Sequence, residues 1–502
     1  MVLLFLLILT STYDSIIHME YSYLTMNEFI VNTDTTYEKY LPVISMDISG
    51  NFVICWLEYS DDEYIYGRKY NIYGGISPIF HVANGPIKSY GSDHPSISLS
   101  DNGNFVVCWA GYTLSDWYIF GKIFSSTCQP ITQAFLVTDA TWAYEVEAGH
   151  SSVSMNSSGE FVVCWEDGRD GWWEYDQWGR EYWVSNINVY AQVYDSSGNP
   201  YPYGNFRVAG WYFSDAWEGY PAVALNDSGR YVICWIGSGN VWFKMFNVPV
   251  NVISSDVIVN SVCQVNANTR PAIAIDNNGN FAIVWKGEDG NIYLQQYNSN
   301  GVQIGTNIRV NDSPGNVERT NPSIAMSKDG SRIVVAWTEY RTSSTNPDIY
   351  AQIYENGIPV GSNFRVNQDD SLANNIQKST TFSVACNSNF SVITWMDKRT
   401  HDNGDIYASL ININSTGVDT PNTDQGDNCF EIIPNPFTST FRVKLYHEIS
   451  GNHSLLIYNI DGRLLERTKE MVLGRDLPSG IYFIKIEGYP DVKKVIKLKA
   501  LP

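Results

Sequence analysis

The chain has 502 residues, of which 44% are hydrophobic, 14% aromatic and 17% charged. The apolar fraction excludes a disordered chain, and few charges with many aromatic residues favour an all-β extracellular protein. The formal net charge of −21 argues against nucleic acid and against an anionic membrane surface as partners.

The chain begins with an apolar segment, Val2–Leu9, which small polar residues follow. This pattern predicts a secretory signal peptide over residues 1–15. The basic residues that usually start such a signal are absent, so either Met1 lies inside a longer signal or the segment is not a signal. The segment is too short to cross a bilayer, and no later apolar run approaches 18 residues, so no transmembrane segment is predicted.

A repeated pattern occupies most of the chain. Each repeat has an apolar run, a turn rich in Asn, Asp and Gly, and a second apolar run that ends in Trp, which is typical of a β-hairpin. Successive Trp residues of the repeats lie 50 to 70 residues apart. The seven segments are Pro42–Trp56, Pro95–Trp109, Ser151–Trp165, Pro221–Trp235, Pro271–Trp285, Pro322–Trp337 and Phe382–Trp395.

Further strands follow each hairpin, for example Asp348–Tyr354 as a third strand and Asn363–Gln368 as a fourth. Four antiparallel strands repeated seven times predict a seven-bladed β-propeller over residues 28–413. The fourth-strand motif also occurs before the first repeat, as Glu28–Thr33, and is missing after the seventh. We therefore expect the N-terminal strand to complete the last blade and close the ring.

Two turns, Tyr194–Pro200 and Tyr297–Gln303, resemble degenerate Asp boxes. The repeats as a whole, over about residues 28–418, therefore resemble the sialidase-like propellers. This resemblance implies the fold and no particular activity. A sialidase would also need an arginine cluster, a Tyr/Glu nucleophile pair and an Asp, and only Thr269–Ile273 is similar to the arginine-proline start of that family, so we do not expect one.

The end of the chain differs from the repeats. The polar stretch 414–428 has no apolar periodicity and predicts a linker, and from Cys429 onward 11 basic residues face 8 acidic ones. Residues 429–502 resemble the C-terminal sorting domain of the type IX secretion system. That family is a small β-sandwich that serves as an export address and is usually removed at the cell surface. The residues that carry the resemblance include Pro434, Asn435, Pro436, Gly462, Gly480 and Tyr482.

The resemblance implies that the type IX secretion machinery is a partner and that the protein is secreted or attached to the cell surface. The alternative is an ordinary immunoglobulin-like β-sandwich without an address function.

The loops before the first strand and after the second strand of a blade share one face of a propeller. Three loops on this face, 138–150, 166–186 and 209–220, are rich in aromatic residues. Rings that stack on sugars, beside carboxylates that accept hydrogen bonds from hydroxyls, suit carbohydrate recognition. Alternatively, the longest loop folds over the disc and buries its own rings. The candidate ligand-binding residues are Trp142, Tyr144, Trp172, Trp173, Tyr175, Trp178, Tyr182, Trp183, Trp211, Tyr212 and Trp217.

The sequence patterns that would indicate catalysis are weaker than those that indicate carbohydrate binding. Glycosidases need two carboxylates about 5–10 Å apart, and the loops supply acidic residues without showing a pair. Acidic residues two positions after the blade Trp, and arginines four positions after it, recur between repeats, which indicates a structural ion pair. The recurring residues are Glu58, Asp167, Glu339 and Asp397, with Arg169, Arg341 and Arg399.

No cofactor is predicted, although turns such as Asp101–Gly103, Asp276–Gly279 and Lys328–Gly330 have residues that suit Ca²⁺ as well as a tight hairpin. Four of the eight cysteines directly precede a blade Trp and are expected in the core. The sequence does not decide whether a disulfide forms among Cys128, Cys263, Cys386 and Cys429.

The sequence therefore predicts an exported, non-catalytic binding or adhesion propeller whose ligand is a glycan or a surface protein. The alternative is a glycoside hydrolase or lyase that uses the same aromatic and acidic face.

Overall fold

The structure is a computed structural model that describes residues 28–85, 87, 94–113, 116–139, 147–184, 186–209, 218–313, 317–320, 322–341, 347–367, 382–399, 403–413, 430–433, 440–445, 454–459, 464–486 and 492–497. These residues divide into two compact units, the repeats and the C-terminal part, with 70–76 grouped with the latter. Within these ranges every regular element is a β-strand, so the predicted all-β fold is confirmed. The described part has no helix with the length and apolar character that a membrane span needs.

Each of the first four repeats forms an antiparallel sheet, called a blade, and the loop after the second strand of blade three adds a separate two-stranded sheet, β13–β14. In chain order the strands are β1 (Phe29–Ile30); β2 (Glu38–Met46), β3 (Phe52–Tyr59), β4 (Glu63–Asn71), β5 (Gly74–Gly75) and β6 (Phe80–Asn84) in blade one; β7 (Ser96–Leu99), β8 (Phe105–Thr113), β9 (Asp116–Phe124) and β10 (Phe135–Leu136) in blade two; β11 (Gly149–Met155), β12 (Phe161–Asp167), β13 (Trp172–Tyr175), β14 (Glu181–Val184), β15 (Asn188–Tyr194) and β16 (Phe206–Arg207) in blade three; and β17 (Glu218–Leu225), β18 (Arg230–Gly237), β19 (Asn240–Asn247), β20 (Asn251–Val252) and β21 (Val257–Ile258) in blade four.

The remaining strands form blades five to seven and the two sheets of the C-terminal unit. They are β22 (Ala272–Ile275), β23 (Phe281–Lys286), β24 (Ile292–Tyr297) and β25 (Gln303–Arg309) in blade five; β26 (Ser323–Met326), β27 (Arg332–Glu339), β28 (Asp348–Glu355) and β29 (Ile358–Arg365) in blade six; β30 (Ser383–Cys386), β31 (Phe390–Asp397) and β32 (Asp405–Asn412) in blade seven; and β33 (Phe430–Ile433), β34 (Phe441–Leu445), β35 (Leu455–Asn459), β36 (Leu464–Thr468), β37 (Val472–Leu473), β38 (Gly480–Ile486) and β39 (Val492–Lys497) in the C-terminal unit.

The blades form a closed ring. The first strand of each blade packs against the first strand of the next, and the first strand of blade seven packs against that of blade one. A ring of antiparallel sheets arranged in this way is a β-propeller, and its seven sheets are compatible with the predicted number of blades.

The N-terminal strand β1 takes the outer position in blade seven, where Phe29 lies opposite Ala408 on β32. Asn32, just after β1, accepts a hydrogen bond from the backbone N–H of Ile406 (2.8 Å) and donates one to Asp405 Oδ1 (2.7 Å). The same pair of hydrogen bonds recurs in blades four, five and six, where the residues that make it are Asn260, Asn311 and Asn367. The N-terminal segment therefore makes in blade seven the hydrogen bonds that the outer segments of blades four, five and six make in their own blades.

The core lies between blades. The second strand of a blade is covered on both faces by its neighbours, so six of the blade Trp side chains are at most 1% exposed. Removing such large apolar surfaces from water is a main source of stability. The seven described cysteines are free thiols, so the structure contains no disulfide among Cys128, Cys263 and Cys386; Cys429 lies outside the described residues.

The turns between first and second strands meet around the axis at one end of the ring. There the ammonium of Lys328 lies 2.7 Å from Asp101 Oδ2, 2.7 Å from Ser157 Oγ and 3.3 Å from Asp227 Oδ1, which joins the turns of blades two, three, four and six. The Asp276 carboxylate accepts the backbone N–H of Asn280 (2.8 Å). These turns thus use their carboxylates within the protein, and the described residues contain no group of three or more His, Cys, Asp or Glu placed to hold a metal.

The C-terminal unit has two antiparallel sheets, β33–β34–β37 and β36–β35–β38–β39. Gly480 begins β38 opposite Lys497, and Tyr482 on the same strand is buried and donates a hydrogen bond to the carbonyl of Pro478 (2.6 Å). The other predicted sorting-motif residues lie outside the described residues; they are Pro434, Asn435, Pro436 and Gly462.

Candidate functional site

Three blades carry a network, called the clamp, that joins the blade Trp to the carboxylate and the arginine that follow it. The clamps are Trp165–Asp167–Arg169, Trp337–Glu339–Arg341 and Trp395–Asp397–Arg399. In blade three, Trp165 Nε1 donates to Asp167 (2.8 Å), and Arg169 pairs with the same carboxylate (2.6 Å) and lies over the ring of Tyr190 (4.4 Å). Burial raises the pKa of Asp167, and the hydrogen bonds from Arg169 and Trp165 only partly offset this. The clamps therefore hold loop and strand together.

Blade four lacks the clamp carboxylate, since Gly237 stands at that position. Glu218, on the neighbouring strand, lies opposite Gly237, and a Cβ on Gly237 would lie 3.1 Å from its Cγ. Burial first, and then the charge of Asp256, raise the pKa of Glu218 to about 7, while Arg207 and Lys244 act in the opposite direction. Glu218 thus packs against Gly237 from the neighbouring strand, without a hydrogen bond from Trp235 like the one that each clamp acid accepts from its blade Trp.

A cavity of about 840 Å³ lies at the centre of the ring, and the first strands of all seven blades contribute to its wall. The titratable side chains along this wall belong to His94, His150, Tyr220, Arg270, Lys286, Glu318 and Arg319. The cavity lies at the end of the blades where the first strands begin, opposite to the turns that Lys328 joins.

Two residues of this wall, His150 and Tyr220, contact Glu166, which lies near the end of β12. The buried Glu166 carboxylate contacts His150 Nδ1 through Oε2 (2.8 Å) and accepts the backbone N–H of Tyr220 through Oε1 (2.5 Å). The His150 and Tyr220 rings meet edge to face, with centroids 4.6 Å apart. Both residues have a φ of 49°, in the left-handed region that costs free energy for residues other than Gly. Leu41, at the equivalent position of blade one, has a φ of 51°, and all three residues lie at a register shift between the first and second strands, so this bulge is a recurring feature of the blades.

Blade five continues the wall with two cations. The Arg270 guanidinium lies 4.7 Å from the centre of the Tyr220 ring. Lys286 is the residue after the blade Trp, and Thr269 Oγ1 donates to its carbonyl (3.2 Å). Burial lowers the pKa of Lys286, Glu318 raises it, and Arg319 lowers it. The wall of blades three to five therefore combines a histidine–carboxylate pair with cations.

The two-stranded sheet β13–β14, called the aromatic hairpin, extends from the same end of blade three. Its turn is closed by Asp176, whose carboxylate accepts the backbone N–H groups of Trp178 (2.8 Å) and Arg180 (2.9 Å). Trp173, Tyr175 and Trp178 are 43%, 65% and 70% exposed. These three rings are therefore not buried in a small core of their own.

For the other predicted ligand-binding residues, the structure gives one ring contact and two backbone pairings. Trp172 is half-buried and donates from Nε1 to Glu174 (2.9 Å). The backbones of Tyr182 and Trp183 pair with Glu174 and Trp173 across the hairpin. Five predicted residues lie outside the described part of the chain; they are Trp142, Tyr144, Trp211, Tyr212 and Trp217.

Glu166, His150, Arg270 and Lys286 are not among the residues that the sequence predicts for the site. A signal was nevertheless present at the position after the blade Trp. Five blades have an uncharged residue there, and only Glu166 and Lys286 are charged. The five uncharged residues are Leu57, Ala110, Ile236, Thr338 and Met396.

The two units of the chain resemble different known proteins. Residues 431–498 match the sequence profile of the family "Secretion system C-terminal sorting domain". This part of the chain is a sorting domain. The protein is therefore exported by type IX secretion, and it is released or attached to the cell surface. No curated protein sequence matches the chain.

Solved structures resemble the propeller at low sequence identity. A protein of unknown function from Dyadobacter fermentans has 8% identity and a TM-score of 0.41, covering 78% of this chain and 99% of its own. An alpha-L-arabinanase from Penicillium chrysogenum has 12% identity and a TM-score of 0.41, covering 66% and 98%. An ulvan lyase of polysaccharide lyase family 25 has 10% identity and a TM-score of 0.47, covering 74% and 93%.

Proposed function

We propose that the exported propeller binds a glycan, and that the aromatic hairpin is part of the binding surface. The observation that carries this proposal is the exposure of Trp173, Tyr175 and Trp178 on one short hairpin. Exposed apolar surface that is grouped in this way usually marks an interaction site. Neighbouring carboxylates of Glu174, Asp176 and Glu181 supply acceptors for sugar hydroxyl groups.

The hairpin is also stiff enough to present its rings. Asp176 closes the turn, its salt bridge to Arg180 measures 2.8 Å, and the Arg180 guanidinium lies 5.0 Å from the Trp178 ring. The Tyr175 hydroxyl donates to Glu181 across the two strands. A surface that is ordered before binding loses less conformational entropy when a ligand binds.

Glycan-array binding of the full-length protein, followed by titration of positive glycans with Trp fluorescence, tests the proposal. Trp173→Ala and Trp178→Ala should each weaken binding by roughly 1–3 kcal/mol, the range for a hot-spot ring, with little change in melting temperature. Tyr203→Ala is the matched control, because Tyr203 is also 65% exposed but lies in the loop between β15 and β16, at the other end of the blade. Retained affinity in both Trp variants would reject the hairpin as the binding surface.

A second candidate function, an enzyme that acts on the bound glycan, is favoured by the Glu166–His150 pair. A histidine whose ring is held by a carboxylate is a common general acid or base, and this one lies on the cavity wall. Polysaccharides incubated with the protein would then gain new reducing ends, and His150→Ala would abolish this release. If the wild-type protein binds glycans but produces no new reducing ends, the enzyme function is rejected and the binding function stands.

A further inference from the structure

We propose that three exposed tyrosines of blades one and two, called the rim tyrosines, continue the binding surface of the aromatic hairpin, and that the ligand is an extended, uncharged polysaccharide chain. The rim tyrosines are Tyr37, Tyr59 and Tyr112. This inference rests on the proposed glycan-binding function, because it adds a second part to the same surface and names the class of glycan.

The first argument is the uneven distribution of exposed aromatic side chains around the propeller. Within its described residues, six Tyr and Trp side chains are exposed at the end where the cavity lies. All six belong to three consecutive blades, and the described parts of blades four to seven have none at this end. Exposed apolar surface that is grouped marks an interaction site, whereas single exposed residues are ordinary. The six residues are Tyr37 before β2, Tyr59 at the end of β3, Tyr112 near the end of β8, and Trp173, Tyr175 and Trp178 of the aromatic hairpin.

The second argument is that the exposure of two rim tyrosines does not follow from their position in the blade. Tyr59 and Tyr112 stand three residues after the blade Trp, and Tyr340 stands at the same position in blade six. Tyr340 is 8% exposed, whereas Tyr59 and Tyr112 are 52% and 46% exposed. A tyrosine at this position can therefore pack within the protein, and blades one and two leave it in contact with solvent.

The third argument is that the rim tyrosines are held by paired strands. Tyr59 lies opposite Glu38, the residue after Tyr37, on β2 and β3. Tyr112 lies opposite Trp117 on β8 and β9, and their rings meet edge to face with centroids 5.2 Å apart. Side chains that are held before binding lose less conformational entropy when a ligand binds. The rim tyrosines thus resemble the aromatic hairpin in presenting rings from ordered backbone.

The length of the ligand follows from the distance between blades. The first strands of blades one, two and three pack against each other in turn. Packed sheets lie about 10 Å apart, so equivalent positions in blades one and three are about 20 Å apart or more. A disaccharide is too short to contact aromatic rings on both blades, whereas an extended chain of several sugars can stack on rings of all three.

The charges around these rings indicate that the chain is neutral. The turn after β3 has two exposed carboxylates, Asp61 and Asp62, and no basic residue. The aromatic hairpin has one basic residue, Arg180, and three acidic ones. Carboxylates repel an acidic saccharide but accept hydrogen bonds from the hydroxyl groups of a neutral one. The three acidic residues of the hairpin are Glu174, Asp176 and Glu181.

Neutral chains of different length test the inference with the full-length protein. Glucomannan, arabinoxylan and dextran are titrated together with the disaccharide and the octasaccharide of each backbone, and polygalacturonate is the acidic comparison. We expect at least one neutral polysaccharide to bind, its octasaccharide to bind at least tenfold more tightly than its disaccharide, and polygalacturonate to bind more weakly. Tighter binding of polygalacturonate than of every neutral chain would overturn the uncharged class, and equal affinities for disaccharide and octasaccharide would overturn the extended chain.

Tyr59→Ala and Tyr112→Ala should each weaken binding of the octasaccharide at least fivefold and leave the disaccharide unaffected, whereas Trp173→Ala should weaken both. Tyr203→Ala, at the other end of the blade, is the control and should change neither; thermal melts confirm that each variant is folded. Retained octasaccharide affinity in both rim-tyrosine variants, or an equal loss in Tyr203→Ala, would overturn the inference while glycan binding stands. If no glycan binds the wild-type protein, the proposed function fails and the inference fails with it.

Discussion

Glu166 and Asp167 are neighbours in the chain, but they belong to two different regions of the molecule. The Asp167 carboxylate is fully buried in the clamp, where Trp165 and Arg169 bind it. The Glu166 carboxylate holds His150 on the wall of the central cavity and accepts the backbone N–H of Tyr220. Alternation along one strand sends the two side chains to opposite sides.

The two regions differ most in recurrence. Clamp carboxylates stand at the same position in blades six and seven as Glu339 and Asp397, whereas no other blade has an acid at the position of Glu166. In a repeat protein every blade must pack against the next, so recurring polar residues indicate stability. Polar residues that occur once indicate recognition of something outside the fold.

The largest effect on stability is expected from loss of the closing strand, which belongs to the recurring class. A chain that starts at Tyr37 lacks β1, the fully buried Val31, the hydrogen bonds of Asn32, and the 2.5 Å ion pair of Glu28 with Arg399. We expect the free energy of unfolding to fall by about 5 kcal/mol, from lost apolar burial and unpaired backbone groups.

Urea denaturation of the truncated and full-length proteins measures this change. Asn32→Ala in the full-length protein keeps the strand and should cost about 1–2 kcal/mol. An unfolding midpoint that the truncation leaves unchanged would show that β1 does not close the ring.

Substitution of the two neighbouring acids compares the regions directly. Asp167→Ala leaves Arg169 without its buried partner, so we expect a loss of about 3–5 kcal/mol of stability. Glu166→Gln keeps the shape of the side chain and should cost about 1 kcal/mol or less, but should reduce ligand binding or turnover. Chemical denaturation and glycan titration of both variants provide the two measurements; equal losses of stability would remove the distinction between clamp and wall.

A smaller effect, with a defined pH dependence, is expected at Glu218. Its pKa of about 7 in the folded protein exceeds the ordinary value of 4.5, so the folded state binds the proton more tightly than the unfolded state. Stability should therefore decrease as the pH rises from about 4.5 through 7. Glu218→Gln removes the charge and should be more stable than the wild type by about 1–3 kcal/mol at pH 8.

Thermal melts at pH 5 and pH 8 follow this difference, which should shrink at the lower pH. If Glu218→Gln is no more stable than the wild type at pH 8, the ionised carboxylate of Glu218 does not destabilise the folded protein.

The sequence predicts the fold well because the strands are set by local patterns that repeat. The turn residues and the apolar runs around each blade Trp place the sheets, and the motif at Glu28–Thr33 indicates the outer strand of blade seven. The sorting domain is also recognisable from its motifs.

The candidate site is less predictable because it depends on contacts between blades. His150 and Tyr220 come from different blades, and each has the left-handed backbone that is uncommon for residues other than Gly. Glu218 fills the space opposite Gly237, and only the pairing of β17 with β18 shows this. The exposure of Trp178 depends on the pairing of β13 with β14, so composition alone left two outcomes open.

The pairing of Phe29 with Ala408 also sets the order in which the protein is completed. During synthesis β1 leaves the ribosome before the other strands of the ring, and its partner β32 is made last among them, so β1 stays unpaired while blades one to six are made. Open strand edges invite pairing with other chains. The closing strand has only two residues, Phe29–Ile30, so the segment that waits offers little backbone for a wrong partner.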